Sequence, residues 1–305
     1  IKIQKLNNLE KIPFLHINLF KKLELLSCKK KKVVMQLNSS GTSGVNSKIF
    51  LDKYNSINQK KILNKILTKE FGKERLPLLI VDKNPKYLND RRKFSASLAA
   101  ILGFSLIGKD NTYVLNKDGK IDYKSFNSFL KKYSNQKFLI FGFTYKIYEC
   151  LIANLKFRKL NESLSNSILI HGGGWKKLAK LGIENNEFKK ILNKKLNINK
   201  VINYYGFVEQ TGSIFLECPE KGFFHTNEFT DIFVRNKNLK LTKKKEAGIL
   251  QSISLAPSSY PGNSLILEDE AIFYGDNCIC GRNGKIFKIN GRIKQAEVRG
   301  CSDAI

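Results

Sequence analysis

The chain has 305 residues, of which 42% are apolar, and it carries a formal net charge of +28 at pH 7. This length and apolar content are sufficient for a hydrophobic core in one large domain or two moderate ones. The sequence has no apolar run of about 18 residues, so we expect no membrane-spanning helix. It starts at Ile1 without a signal-peptide pattern, and we expect a fragment or a chain whose beginning is missing.

The positive charge raises the question of nucleic-acid binding, because Lys and Arg neutralise phosphates. Only eight of the 54 basic residues are Arg, and the 46 Lys are spread among Asn and Ile. Base and phosphate recognition favours Arg. We therefore interpret the charge as a solvated Lys-rich surface that attracts ATP, an acidic lipid surface or an acidic protein, without a specific nucleic-acid partner.

The six cysteines do not form a disulfide framework in a chain of this length. Without a secretory signal, we expect free or metal-bound thiols in the reducing cytoplasm.

The first two-thirds of the chain alternate strand and helix patterns. The predicted elements are strand 78–81, helix 95–102 ended by Gly103, amphipathic helix 123–133, strand 137–141, helix 145–155 and strand 167–170. This alternation is typical of an α/β sheet that binds ligands at the carboxyl ends of its strands.

After about residue 200 the pattern changes to short strands separated by turn residues. The predicted strands are 201–203, 213–216, 229–235, 248–254, 271–274 and 285–289. We therefore expect a β-rich C-terminal part, and we find no internal repeat or linker.

A loop rich in glycine and hydroxyl groups, Ser39-Ser40-Gly41-Thr42-Ser43-Gly44, follows the apolar run 33–37. Its backbone N–H and hydroxyl groups suit the β- and γ-phosphates of ATP. The loop is not a Walker A motif, because no Gly-Lys-Ser/Thr follows, and it lacks the Gly-x-Ser-x-Gly of a nucleophile elbow. A flexible surface loop is the alternative.

The motif His171-Gly172-Gly173-Gly174-Trp175-Lys176 follows the predicted strand 167–170. In some esterases a His-Gly-Gly-Gly run builds an oxyanion hole, which needs a nucleophile elbow and a second histidine. The elbow is absent, and the other histidines are His16 and His225. A glycine turn that lets a ligand approach the backbone closely and a simple strand-to-helix turn are the other interpretations.

Two acidic motifs come later in the chain. Tyr205-Gly206-Phe207-Val208-Glu209 follows the predicted strand 201–203, and Glu268-Asp269-Glu270 precedes Gly291-Arg292-Ile293-Lys294. Carboxylates beside phosphate are the ligands that Mg²⁺ prefers, and an ionised Asp accepts hydrogen bonds from sugar hydroxyls. A half-buried sheet tyrosine and solvated acidic residues are the alternatives.

Three cysteines and one histidine make a candidate zinc set: Cys218, His225, Cys278 and Cys280. Three thiolates and an imidazole form a closed tetrahedral site of structural type. Ordinary buried thiols are the alternative.

The order of these motifs along the chain resembles that of the adenylate-forming enzymes. The segment Glu297-Val298-Arg299-Gly300-Cys301-Ser302 resembles the tail of the acyl-protein synthetases, the LuxE-like branch, which is related to the phenylacetate–CoA ligases. The stretch 12–21 also resembles the lead-in to that branch's phosphate loop, so the resemblance spans most of the chain.

The resemblance implies that these motifs bind ATP. The implied nucleotide-binding residues are Ser39, Ser40, Gly41, Thr42, Ser43, Gly44, Gly172, Gly173, Gly174, Tyr205, Gly206, Asp269 and Arg292. Glu209 would bind Mg²⁺, and Asp269, with Glu268 as the fallback, would bind the ribose hydroxyls. The implied fold is the large adenylation domain (1–290), with helices flanking β-sheets, followed by a hinge and the stub of a C-terminal segment (291–305).

The implied reaction converts a fatty or other hydrophobic carboxylate and ATP into acyl-AMP and pyrophosphate. Glu209 and Lys48 would assist this step, and Cys301 would then take the acyl group for an acyl-accepting reductase or carrier protein. Ser47 stands where the family's loop usually has a lysine, with Lys48 one residue later, and Val208 replaces a threonine. An acyl-CoA ligase of the phenylacetate–CoA ligase type and a non-catalytic basic binding protein remain the alternatives.

Overall fold

The computed structural model describes residues 8–39, 45–87, 93–153 and 164–293. Within this part of the chain the helices are α1 (Leu19–Lys22), α2 (Lys53–Phe71), α3 (Ala96–Phe104), α4 (Tyr123–Tyr133), α5 (Thr144–Ile147) and α6 (Asn185–Leu196). A π-helix (Tyr148–Ala153) continues α5, and a 3-10 helix (Lys176–Leu181) precedes α6.

The described strands form one large and one small sheet. The large sheet contains β1 (Leu15–His16), β4 (Leu76–Lys83), β6 (Gly108–Leu115), β7 (Phe138–Phe143), β8 (Ser167–Gly172), β9 (Lys200–Tyr205), β10 (Phe215–Glu217), β11 (Phe224–His225), β12 (Thr230–Arg235), β13 (Ala247–Ser254), β14 (Ser264–Asn277) and β15 (Asn283–Arg292). The small sheet contains β2 (Val33–Asn38), β3 (Lys48–Asp52) and β5 (Lys93–Ser95).

The large sheet is parallel in its first half and antiparallel in its second, except that the short β1 pairs in parallel with β14. The order β6-β4-β7-β8-β9 is parallel throughout, and β10, β11, β15, β14, β13 and β12 continue it with antiparallel pairs. Parallel strands need crossover helices, and the helices of the first half supply them. The carboxyl ends of β7, β8 and β9 therefore meet at one edge.

Alternate residues of the parallel strands pack into two different cores. Leu79 and Val81 of β4 face a cluster that includes α4 and α6, whereas Leu78 and Ile80 face a cluster that includes α2 and α3. This period of two is the geometry of a strand covered on both faces. A third cluster joins the antiparallel half to the small sheet, with Phe287 and Leu37 among its members.

The α/β architecture with a β-rich second part confirms the predicted fold class. Helix α4 has the predicted bounds, and the predicted strands lie within or overlap the observed ones, which often extend further at both ends. The predicted stop at Gly103 is wrong, because α3 continues to Phe104. A Cβ at Gly103 would lie 2.6 Å from Leu63 Cδ2, so this glycine permits close packing of α3 against α2.

The predicted domain boundary at residue 291 remains a prediction, since β15 runs through Gly291 to Arg292 and residues 294–305 lie outside the described part. Among the described helices, none combines the length and the apolar character that crossing a membrane requires.

Candidate nucleotide site and cysteine cluster

The predicted phosphate loop is closed at its base by two serines. Ser39 follows β2, and its hydroxyl accepts a hydrogen bond from Ser47 N at 2.8 Å, while Ser39 N donates to Ser47 O at 3.0 Å. The predicted loop residues Ser40, Gly41, Thr42, Ser43 and Gly44 lie outside the described residues. The two bonds hold the ends of the loop together beside β2 and β3.

Ser47 and Lys48 point in different directions. Ser47 is fully buried and lies close enough to Glu209 for its hydroxyl to lower the pKa of that carboxyl. Lys48 is exposed, and its charge helps to lower the pKa of Glu24 instead. The structure thus brings Ser47, and not the predicted Lys48, to the buried carboxylate.

Glu209 lies in a single 3-10 turn (Val208–Gln210) and is only 5% exposed. Burial raises the pKa of Glu209, whereas Ser47 and the charges of Arg292 and Lys21 lower it. The Ser47 hydroxyl has no well-formed hydrogen bond to any described residue. A buried carboxylate beside an unsatisfied hydroxyl is a site that a cation would stabilise.

Three of the predicted nucleotide-binding residues, Tyr205, Asp269 and Arg292, form one polar cluster across three strands. Tyr205 at the end of β9 donates from its hydroxyl to Asp269 Oδ2 at 2.6 Å, and Arg292 Nε lies 3.6 Å from Asp269 Oδ1. Asp269 and Arg292 are paired in the β14–β15 register. Burial raises the pKa of Asp269, while Arg292 and Tyr205 act in the opposite direction.

The fallback residue, Glu268, is occupied by other partners. Asn18 donates a hydrogen bond to its carboxylate, Arg292 Nη1 lies 3.0 Å from Oε2, and Lys21 Nζ lies 3.8 Å from the same oxygen. This geometry favours Asp269 over Glu268 as the acceptor for a ligand, because Glu268 already satisfies three protein groups.

The glycine motif forms the turn after β8. Gly173 has a positive φ of 74°, and a Cβ at Gly172 would lie 2.4 Å from Tyr204 Cε1. Both positions therefore require glycine. A Cβ at Gly174 would meet nothing within 4 Å, so the backbone at Gly174 faces open space that a flat ring could occupy.

His171 is buried under this turn. It is 2% exposed, and burial lowers the pKa of its ring to about 3, so the ring is neutral. Thr144, at the end of β7, contacts its Nδ1 atom at 2.9 Å. His16 is exposed and His225 belongs to the cysteine cluster, so neither stands beside His171 as the second histidine that the esterase interpretation requires.

An apolar pocket of about 70 Å³ opens beside the Tyr-Gly-x-x-Glu motif. One wall comprises residues 206–208 and 211–214, and the opposite wall is the alanine-rich face of α3. Phe104 and Tyr204 also line the pocket, and Phe104 stacks on Phe141 at 4.4 Å and packs on Tyr204 at 4.9 Å. The pocket hydroxyls are already bonded: Ser213 to Ser254, and Thr211 to Val208 O.

The four predicted zinc ligands converge. The ligand atoms of Cys218, His225, Cys278 and Cys280 all lie within 4.8 Å of one another. Cys218 Sγ is 3.6 Å from Cys278 Sγ, and Cys280 Sγ is 3.7 Å from His225 Nε2. A tetrahedral site with Zn–S distances near 2.3 Å has sulfur–sulfur edges of about 3.8 Å, so the separations fit a zinc ion.

The family model for acyl-protein synthetases, LuxE, matches residues 4–305. The chain belongs to this family. None of the curated proteins with which it was compared matches it. The candidate acyl-accepting residue, Cys301, lies outside the described residues.

Several solved structures of adenylate-forming enzymes share the fold of this chain. A 2-hydroxyisobutyryl-CoA ligase in complex with 2-HIB-AMP and CoA matches with a TM-score of 0.70 and 11% identity, over 94% of this chain and 61% of the ligase. The luciferase-like enzyme of the mealworm Zophobas morio matches with a TM-score of 0.58 and 16% identity, over 88% of this chain and 60% of that enzyme. ATP-bound MatB from Rhodopseudomonas palustris matches with a TM-score of 0.56 and 13% identity, over 87% of this chain and 49% of MatB. The chain thus spans about half to three-fifths of these proteins.

Two residues that contact the candidate site, Ser47 and Thr144, are not among the site residues predicted from the sequence. Ser47 was noted only as a departure from the family's lysine, although strand alternation places it opposite to Lys48. Thr144 lies between the predicted strand 137–141 and the predicted helix 145–155. Both are hydroxyl residues at strand ends, and that position was the available signal.

Proposed function

We propose that the protein activates a carboxylic acid with a hydrocarbon tail, using ATP, and transfers the acyl group to a thiol. One observation carries this proposal: the segment 206–214 holds the buried Glu209 and also lines the apolar pocket. The carboxylate that would face the phosphates and the wall that would bind the tail therefore belong to one segment, which follows the carboxyl end of β9.

ATP fits the geometry of the strand ends. The ribose would take the place beside Asp269, where Tyr205 and Arg292 already fix the carboxylate, and the adenine would lie against the open backbone at Gly174. The triphosphate would reach the loop whose base is Ser39 and Ser47. Glu209 and the Ser47 hydroxyl would hold Mg²⁺ there, and the ion would withdraw charge from the phosphate oxygens when bound.

The hydrocarbon tail is supported by the chemistry of the pocket. Its walls are apolar, and the two hydroxyls on them already have protein partners. A substrate hydroxyl or charge would therefore lose hydrogen bonds with water and gain none here. The named 2-hydroxyisobutyryl ligase shares the fold, but this pocket favours an acid with no polar group on its tail.

In the proposed first step, a carboxylate oxygen attacks the α-phosphorus of ATP. The bond from that phosphorus to the oxygen bridging to the β-phosphorus breaks, so the products are acyl-AMP and pyrophosphate. Arg292 and Lys21 lie near Glu209 and would offset the negative charge of the transition state. Lys48 remains a predicted contributor, although it is exposed on the far side of Ser47.

In the proposed second step, a thiolate attacks the acyl carbonyl and AMP leaves, which gives a thioester. Cys301 is the proposed acceptor, and a reductase or carrier protein would consume the thioester. The described cysteines are free thiols, which suits a reducing cytoplasm. Zinc on Cys218, His225, Cys278 and Cys280 would have a structural role, since four protein ligands leave no open position.

The experiment is carboxylate-dependent ATP–pyrophosphate exchange over a panel of fatty acids, followed by mass spectrometry of the protein. Exchange and a hydroxylamine-labile adduct on Cys301, absent from Cys301→Ala, would support both steps. Exchange that persists in Cys301→Ala, with CoA thioester formed on adding CoA, would support the first step and replace the proposed acceptor. No exchange in the full-length protein would refute the proposal.

A further inference from the structure

Thr144 connects β7 to the glycine turn through one hydroxyl. The residue begins α5 directly after β7, and its side chain is buried, with 4% exposure. Its Oγ1 atom lies 2.9 Å from His171 Nδ1 and 3.1 Å from each of the carbonyl oxygens of Gly172 and Gly173. The distance to Nδ1 is that of an ordinary hydrogen bond, and the two distances to the carbonyl oxygens are slightly long for one. The hydroxyl therefore contacts three successive residues of the turn.

The protons on this cluster can be assigned from its geometry. A hydroxyl has one hydrogen and two lone pairs, and a neutral imidazole carries one N–H. If His171 Nδ1–H donates to Oγ1, Thr144 can donate its own hydrogen to a glycine carbonyl. In the other tautomer Nδ1 is unprotonated and accepts the hydroxyl hydrogen of Thr144. Both glycine carbonyls then face a hydroxyl oxygen that has no hydrogen left to donate to them. Nε2 makes no well-formed hydrogen bond to a described residue, although the side chain of Asn185 lies close enough to act on the pKa of the ring. The two glycine carbonyls are therefore the observation that favours the first arrangement.

The turn needs such a restraint because the sheet pairing does not extend to its last residues and glycine side chains make no contacts that could hold the backbone. The ladder of β8 ends with the pairs Phe143–Gly172 and Gly172–Tyr204, so Gly173 lies beyond the last sheet hydrogen bonds. Glycine has more conformational freedom to lose than other residues. The contact from Thr144 to Gly173 O is therefore a polar restraint placed directly past the sheet edge.

We propose that Thr144 is a positioning residue for nucleotide binding, whose hydroxyl fixes the peptide groups of Gly172 and Gly173 so that the adenine ring can lie against the turn. The inference rests on the proposed function, in which this turn receives the adenine. It assigns Thr144 to binding of the nucleotide and not to binding of the carboxylic acid, since the apolar pocket does not include it.

The test compares three variants of the full-length protein. Thr144→Val removes the hydroxyl at nearly constant shape, and Thr144→Ser keeps it. Ser167→Ala is the matched control, because Ser167 is also buried and donates to a backbone carbonyl, Leu164 O at 2.7 Å, but at the opposite end of β8. Each variant is assayed for KM of ATP, KM of the acid, Kd of AMP by calorimetry, and Tm.

We expect Thr144→Val to raise KM for ATP and Kd for AMP roughly three- to tenfold, the effect of one hydrogen bond, with KM for the acid unchanged. Thr144→Ser should bind AMP like the wild type, and Ser167→Ala should lower Tm without changing either KM. In the wild type, nitrogen NMR should show the proton of His171 on Nδ1.

Wild-type AMP affinity in Thr144→Val would overturn the inference. Equal losses in Thr144→Val and Thr144→Ser, or parallel increases in the KM values of both substrates, would overturn it as well. A wild-type protein that binds AMP but shows no exchange would refute the proposed reaction alone, while the AMP titrations would still decide the role of Thr144. A wild type that neither binds AMP nor exchanges would refute both.

Discussion

Gly172 and Gly174 stand two residues apart in the glycine turn but have opposite surroundings. An added Cβ at Gly172 would lie 2.4, 2.6 and 2.7 Å from three atoms of the Tyr204 ring, whereas one at Gly174 would meet nothing within 4 Å. Carbon atoms are most stable about 3.5 to 4.0 Å apart, so the Gly172→Ala variant must displace the ring by about 1 Å.

The Tyr204 ring has little room to move. It packs on Phe104 at 4.9 Å and lies 6.1 Å from Phe141, and both of these rings are buried. Overpacking of such a core costs about 1–3 kcal/mol. We therefore expect Gly172→Ala to lower Tm by several degrees, at about 2–4 °C per kcal/mol.

Gly174→Ala should give the complementary result. Its Tm should match that of the wild type, but its KM for ATP should rise, because the methyl group would occupy the space assigned to adenine. Differential scanning calorimetry and the exchange assay measure the two effects on the same preparations. A normal Tm for Gly172→Ala would refute the packing argument, and a normal KM for Gly174→Ala would refute the position of the nucleotide.

Three further results are expected. Phe104→Leu should shift acid preference toward longer tails, because Phe104 lines the pocket and a smaller side chain enlarges it. Phe126→Leu, at an equally buried ring on the other face of the sheet, should only lower Tm. Equal chain-length profiles of the two variants would refute the role of Phe104 in the pocket. The purified protein should contain one zinc per chain by elemental analysis, and Cys218→Ser should lose it. The Tm of Cys218→Ser should fall by about 8–16 °C, since a site occupied a thousandfold above Kd contributes about 4 kcal/mol. Loss of zinc in Cys28→Ser instead would contradict the site. Asp269→Asn should raise KM for ATP by roughly ten- to a hundredfold, because hydrogen bonds to a charged acceptor are worth about 1.5–3 kcal/mol. An unchanged KM for ATP would exclude a contact between Asp269 and the ribose.

Regular hydrophobic patterns made much of the fold predictable from the sequence. Helix α4 repeats apolar residues at helical spacing, and its bounds were correct. Gly103 was misjudged because its role depends on Leu63, a residue of another helix, which no local pattern reveals. Contacts with residues distant in sequence also explain why only 271–274 of the long strand β14 was predicted. The length of β14 depends on its pairing with β13 and β15, which includes several register shifts.

The candidate site was predictable where motifs are distinctive and not where single small residues act across the fold. Tyr205, Asp269 and Arg292 are far apart in sequence, yet the motif pattern pointed to all three, and they form one cluster. Ser47 and Thr144 are common residue types whose importance arises from contacts with Glu209 and the glycine turn. Only the folded chain shows those contacts.

The most direct test of the proposed activation step is an oxygen-transfer measurement. The protein is incubated with ATP, a thiol acceptor and a fatty acid whose carboxylate carries ¹⁸O, and the phosphate-containing products are analysed by mass spectrometry. Attack of the carboxylate on the α-phosphorus leaves one labelled oxygen in AMP when the acyl group departs, and the account predicts this result. Label in inorganic phosphate, with ADP as the other product, would contradict it, because the acid would then have attacked the γ-phosphorus.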